Sequence, residues 1–230
     1  STLFPYTTLF RSPYSRADAS LLDSYEAERQ PVARRLLDTT DRGFRLVVSD
    51  SRWAGLLRTQ VLARIMAFAA NRPAVQRVAF RAVSQTAIHY RRSSLSCALG
   101  ALPKSAPQAG DRFPWMKLQL EAGGSVHDLF QALDDTHFNL LVFGQAAPTL
   151  PDLDVLLRVR SIPVTAGNEA EQARVKVPHP AFYLVRPDGH IGLCGRAVDA
   201  DGVRNYLHRR IAVGDRSTGE VASVVTRGAC

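Results

Sequence analysis

The chain has 230 residues, a formal charge of +8, 46% hydrophobic and 22% charged residues, the balance of a globular protein with room for one large or two small domains. Its longest apolar stretch, Ala54–Ala70, is broken by Arg58, Gln60 and Arg64. That excludes the uninterrupted run of about 18 residues that a membrane-spanning helix needs, so a soluble chain with no membrane partner is expected.

The positive charge comes from arginine, with 26 Arg against 3 Lys, and it is concentrated: Arg29 to Arg92 holds 13 Arg and the acids Asp38, Asp41 and Asp50 alone. Arg stems can cover apolar helix surface while their heads stay in water. No helix-turn-helix, zinc or RNA-recognition signature accompanies the charge, so no nucleic-acid partner is expected. Cys97, Cys194 and Cys230 are far apart and form no C-x-x-C, which offers neither a redox pair nor a zinc ribbon. The odd cysteine count and the lack of a signal sequence favour a reducing, cytoplasmic compartment.

In chain order, a helical pattern starts at Ser20 and places Leu22, Tyr25, Val32, Leu36 and Leu37 on one face, then resumes at Phe44. Pro31 should kink it or open a new first turn. A second helix is predicted over Trp53–Phe68 and a third from Pro73 to about Val83. Gln85–Arg92 alternates Ile88 and Tyr90 and reads as a strand. The small, Pro- and Gly-containing stretch Ala98–Gly110 reads as a connector and sets a domain boundary.

Beyond it, Trp115–Leu120 reads as a strand and Val126–Leu133 as a helix entered through Gly124-Ser125. Phe138–Phe143 is a continuous apolar strand of the kind buried on both faces. Leu153–Leu157 suggests a helix and Val159–Thr165 a strand. Phe182–Val185 and Ile191–Cys194 flank Pro187-Asp188-Gly189, a hairpin signal. Asp199–Ile211 is a helix capped by Asp199, and Val213–Cys230 a frayed tail. The fold class is mixed α/β, with a small sheet domain after a helical region.

The residues that carry chemistry are sparse. There is no G-x-G-x-x-G and no G-x-x-x-x-G-K-[ST], hence no evident phosphate cradle. His89, His127, His137, His179, His190 and His208 lack metal-ligand spacing, so no metal site is expected. His127-Asp128 is an adjacent pair that a helix start explains better than a catalytic dyad, and Gly110-Asp111-Arg112 reads as a turn. No Ser or Cys occupies a G-x-S-x-G context. No catalytic and no cofactor-binding residue is assigned.

Leu21–Ala33, LLDSYEAERQPVA, resembles a helix of the flavin-dependent aromatic hydroxylases, the phenol and para-hydroxybenzoate hydroxylase-like monooxygenases. Tyr25, Glu28, Arg29, Pro31 and Val32 match the pattern Y-x-x-E-R-x-P-V. IHYRRSS (Ile88–Ser94), AGDRFPWMKLQL (Ala109–Leu120), FNLLVFG and FYLVRPDGHIG (Phe182–Gly192) resemble successive segments leading into and through that family's C-terminal thioredoxin-like domain. The resemblance implies residues 13–98 as the C-terminal helical part of an FAD/substrate domain, 99–212 as a thioredoxin-like domain and 213–230 as a tail.

It further implies an oxidoreductase that uses FAD, NAD(P)H and O2 to hydroxylate an aromatic, phenolic small molecule, with a homodimer as one possible assembly. Flavin and catalytic residues are then expected upstream of residue 13, and the chain alone is expected to be inactive and to bind no cofactor. The apolar face of Leu22–Val48 should be exposed and prone to aggregate. Gly144–Pro148 holds no cysteine where a redox thioredoxin places its pair, and His179–Pro180 should be cis. The alternative is a peroxiredoxin- or thioredoxin-like protein without redox cysteines, acting as a structural or interaction module. Ser1–Ser12, STLFPYTTLFRS, has a back-translation that resembles a sequencing-library adaptor, so it is expected to be a translated artefact.

Overall fold

The computed structural model describes residues 20–48, 64, 72 and 88–210. The expected helices Trp53–Phe68 and Pro73–Val83, the opening twelve residues and the tail lie outside the described residues. The chain divides into two compact units, one taking Tyr25–His89 and the other Tyr90 onward together with the residues up to Ser24. No helix among the described residues is long and apolar enough to cross a membrane.

Helix α1 runs over Ser20–Val48 and continues through Pro31, so no new first turn starts there. Thr39 and Thr40 return their hydroxyls to the carbonyls of Arg35 and Leu36 at 2.7 and 2.8 Å, which satisfies side chains that would otherwise compete with the helix backbone. Leu36, Leu37 and Phe44 are more than 60% exposed, as expected for part of the apolar face, while Val32 is half-buried.

The second unit is a mixed α/β arrangement. Its elements are β1 (Cys97–Leu99), β2 (Lys117–Gln119), β3 (Val126–Asp128), α2 (Leu129–Ala132), β4 (Phe138–Phe143), a 3-10 turn (Pro151–Leu153), β5 (Leu157–Ile162), α3 (Ala166–Val175), β6 (Ala181–Val185), β7 (Ile191–Gly195) and α4 (Ala200–Arg210). A five-stranded sheet takes the order β1-β7-β6-β4-β5, and β2 and β3 form a separate pair. β4–β5 and β1–β7 are parallel, whereas β6 is antiparallel to both β4 and β7.

Every residue of β4 is buried. Because side chains alternate across a sheet, Phe138, Leu140 and Val142 enter one core with Phe182, Leu184, Leu193, Val203 and Leu207. Leu141 and Phe143 enter the other, with Phe113, Met116, Leu118, Leu129, Tyr183 and Ile191. The Pro187-Asp188-Gly189 hairpin and the final helix are where the sequence places them. The His179–Pro180 bond is cis, as expected.

Other elements differ from expectation. Residues 88–92 are coil and turn rather than a strand, because the Tyr90 N–H is spent on the Gly110 carbonyl (2.7 Å) and its carbonyl accepts from Ser93 N (2.9 Å). The first strand among the described residues is β1, which overlaps the expected connector. Val126–Asp128 pairs with β2 instead of opening a helix, so Gly124-Ser125 belongs to a hairpin and α2 starts only after Asp128. Leu153–Leu157 is not a helix: Pro151 opens a single 3-10 turn, and Leu157 already pairs with Phe138. The β5 strand stops at Ile162 before Pro163. Thr165 then caps α3, which the hydrophobic pattern did not show.

Gly110 illustrates how closely these segments meet. Its φ is +85° and an added Cβ would lie 2.4 Å from the backbone of Tyr90 and Arg91, a place that only glycine can fill. The turn entering β4 is held by Asp134, whose carboxylate accepts from Thr136 N at 2.9 Å and Thr136 Oγ1 at 2.5 Å and meets His137 Nδ1 at 2.7 Å. Burial pushes this carboxyl up, but the bonds from Thr136 and His137 outweigh it and bring it down to about 2.

Two predictions come from these cores. The Tyr183 hydroxyl is fully buried without a hydrogen-bond partner, so Tyr183→Phe should leave stability unchanged or raise it by about 1 kcal/mol in urea denaturation; a clear loss would show that the hydroxyl is paired. Asp134 has a depressed folded pKa, so its contribution is present above its ordinary value of 3.8 and disappears as pH falls toward about 2. The stability gap between wild type and Asp134→Asn should be full at pH 6 and should close across that interval in pH-dependent denaturation curves.

Candidate functional site

The densest polar cluster sits on the turn between β6 and β7. Arg186 grips Asp188 with Nη2 at 2.5 Å and Nε at 3.2 Å, and both side chains are almost fully buried. The His190 N–H donates to Asp188 Oδ1 at 3.0 Å, while its ring packs on Tyr90 with centroids 4.5 Å apart. Burial alone pushes the Asp188 carboxyl up; the Arg186 charge and the hydrogen bonds outweigh it and hold the group far below the ordinary carboxylate range. Arg91 makes a second such clamp, donating from Nε and Nη2 to Asp111 at 2.6 and 2.8 Å, and Gln108 N adds a third bond at 2.9 Å. Gly110-Asp111-Arg112 is therefore a turn locked by its carboxylate, as its sequence suggested.

His127 and Asp128 do not act as a pair. Asp128 caps α2 by accepting from Phe130 N at 2.9 Å and takes Trp115 Nε1 at 2.7 Å on its other oxygen. His127 turns instead to Ser125, with Nε2 and Oγ 2.8 Å apart. No group of His, Cys, Asp or Glu among the described residues could hold a metal ion.

The loop after β4 carries Gln145 and no cysteine. Its amide donates to the Arg196 carbonyl at 2.8 Å and accepts from Val198 N at 3.0 Å. Gly144, at φ +63°, lies so close to the His179 ring that a Cβ there would overlap it. Cys194 is buried on β7, and burial pushes its thiol up to about 11. A neutral, enclosed thiol is a poor nucleophile.

Among the described residues there is an open groove of about 420 Å³ lined by Leu120, Glu121, Gly124, Ser125, His127, Ala132 and Arg160. The sequence singled out His127, but for the wrong neighbour. Ser125 and Arg160 carried no signal, because the groove is assembled from the β2–β3 hairpin, the end of α2 and the edge strand β5.

No family model matches the chain. Its sequence is 32% identical over 184 residues to an uncharacterized aromatic compound monooxygenase, YhjG, of Bacillus subtilis (strain 168), covering 80% of this chain and 32% of the relative. It is 28% identical over 195 residues to the 6-methylpretetramide 4-monooxygenase of Streptomyces rimosus, covering 78% of this chain and 34% of the relative. The chain resembles part of an aromatic-compound monooxygenase. It spans about a third of the length of these curated relatives.

Among solved structures it is similar to the anhydrotetracycline hydroxylase OxyS of Streptomyces rimosus, with TM-score 0.55, 23% identity, 84% of this chain and 36% of that one. The flavin-dependent monooxygenase PieE, solved with FAD and substrate, gives TM-score 0.53 at 21% identity, over 90% of this chain and 42% of that one. The rebeccamycin biosynthetic enzyme RebC with reduced flavin gives 0.54 at 22%, over 90% and 39%. At these identities the structural likeness speaks for the fold.

Asp188 yields the test of this cluster. Asp188→Asn removes the negative charge facing buried Arg186 and should cost about 3 kcal/mol or more in denaturant unfolding. Glu171→Gln, at the partly exposed pair with Arg174, should cost under about 1 kcal/mol. Equal, small losses would show that the hairpin does not rely on its buried ion pair.

Proposed function

We propose that this chain is the C-terminal part of an FAD-dependent monooxygenase that hydroxylates aromatic, phenolic small molecules with NAD(P)H and O2. The observation that carries the reading is the likeness to curated aromatic-compound monooxygenases across about four-fifths of the chain. The Tyr25, Glu28, Arg29, Pro31 and Val32 pattern supports it. On this reading, residues 13–98 continue an FAD/substrate domain, and 99–212 form a thioredoxin-like domain that packs on it or shapes a homodimer in the cytoplasm. The first twelve residues are read as a translated adaptor.

The described residues do not fit FAD. The 420 Å³ groove is lined by seven residues, too few to enclose two ring systems and a pyrophosphate. The backbone N–H of Gly124 in its lining is spent on the Glu121 carbonyl. On this reading the flavin and the groups that act on substrate are assigned to the rest of the full-length protein, and no catalytic step is routed through the described side chains. A module of purely structural or interaction type is the less favoured reading, since the sequence relatives are monooxygenases.

The purified chain should show no flavin absorbance after incubation with FAD and desalting, and no phenol-dependent NAD(P)H oxidation. Stoichiometric FAD retention would overturn the assignment of the flavin site to residues outside it. Fusing the chain to the remaining two-thirds of the Bacillus relative, in place of that protein's matching third, should give FAD-dependent NAD(P)H oxidation above the level of the unfused portion.

A further inference from the structure

The groove beside the β2–β3 hairpin has the chemistry of a ligand site. Its rim is fixed at both sides. The hairpin turn is closed by Gly124 N donating to the Glu121 carbonyl at 3.0 Å and by Gln119 Nε2 donating to the Gly124 carbonyl at 3.1 Å. Facing residues come from β5, whose backbone is paired along its length with β4. Such pre-formed walls lose little freedom on binding. A volume near 420 Å³ falls in the range of about 300–1,000 Å³ typical of small-molecule pockets.

Arg160 carries the recognition. Its Nη2 donates to the Ala132 carbonyl at 2.6 Å, which anchors the side chain. Its Nε–H is buried with no acceptor, and no carboxylate among the described residues lies within ion-pair distance. The enclosed Nε–H is out of a ligand's reach, but the guanidinium charge has no counter-ion there, and a carboxylate in the groove would supply one. Ser125 and His127, joined at 2.8 Å, add a hydroxyl and an imidazole to the same lining, while Leu120 and Ala132 supply apolar surface for a hydrocarbon body. Glu121 in the same lining disfavours a dianion, because a second negative charge would meet like charge with no second arginine to balance it.

We infer that this groove binds a small organic monocarboxylate, its carboxylate on Arg160 with Ser125 and His127 as further hydrogen-bond partners, and its apolar body against Leu120 and Ala132. The site needs no flavin and is independent of the function proposed above.

The test uses the full, isotope-labelled chain, with benzoate and inorganic phosphate as probes and the amide resonances of Gly124, Ser125 and Ala132 as readout. Benzoate should give saturable shifts at these residues. Arg160→Gln should weaken it by at least about tenfold, the expected loss of a charge-assisted pair. Glu121→Gln, an exposed change that does not depend on the Arg160 anchor, should tighten it about threefold by removing like charge. Phosphate should bind more weakly than benzoate. The inference is overturned if benzoate gives no saturable shift, if a folded Arg160→Gln protein binds it as well as wild type, if Glu121→Gln leaves affinity unchanged, or if phosphate binds as tightly as benzoate.

Discussion

The whole sheet unit depends on one strand being dry on both faces. β4 is buried from Phe138 to Phe143, lies between β5 and β6, and sends alternate side chains into two separate cores. Shifting its register by one residue would exchange those cores and drive the whole set into the wrong space. Only one polar side chain is admitted. Asn139 donates to the carbonyls of Asp134 and His137 at 2.8 and 3.0 Å and accepts from Asp134 N at 3.2 Å. The exception thus ties the strand to the turn that feeds it, and the Asp134 carboxylate tightens that turn from the other side.

Polar groups likewise decide where the peripheral elements attach. α3 buries Asn168 and Gln172 rather than a hydrophobic stripe. The Asn168 amide accepts from Gln119 N and donates to the carbonyls of Gln119 and Pro163, all within 2.9 Å, so it joins α3 to β2 by the bonds a neighbouring strand would make. The Arg91–Asp111 clamp does the same between the chain entering this unit and the connector, and the Tyr206 hydroxyl ties α4 to the Leu95 carbonyl at 2.7 Å. All but the Asn168–Pro163 bond join segments at least 20 residues apart, and each acceptor would be costly to leave bare.

That division explains what was legible beforehand. β4, the β6–β7 hairpin and α4 announce themselves through apolar runs and turn chemistry, signals that are local. α3 did not, because its buried side chains are amides and its apolar pattern is weak; only Thr165, whose hydroxyl accepts from Asn168 N, marked its start. Ile88 and Tyr90 alternate as a strand would, yet Tyr90 is drawn inward by Gly110 and His190, partners at least twenty residues away. Val126-His127-Asp128 looked helical by continuity with Leu129, but pairing with Lys117–Gln119 claimed it first. The groove was illegible for the same reason in stronger form: Ser125, His127 and Arg160 come from two segments, and no spacing relates them.

The reactive residue types follow the same economy. Asp111, Asp128 and Asp188 each hold at least one backbone N–H as well as a side-chain donor, so none is free to take a proton from a ligand without loosening a turn or a helix start. Cys194 is enclosed between sheet and connector, and its thiol could ionise only by bringing a charge into an apolar core. Gln145 bridges the loops at the end of β4 with both ends of its amide, which fills the position with a group that neither titrates nor exchanges. Asp111, Asp128, Asp188 and the Cys194 thiol are thus committed to holding the unit's turns, helix start and core. Among the described residues, Arg160 lies in a depression with no carboxylate at ion-pair distance, and the proposed carboxylate site rests on that unbalanced charge.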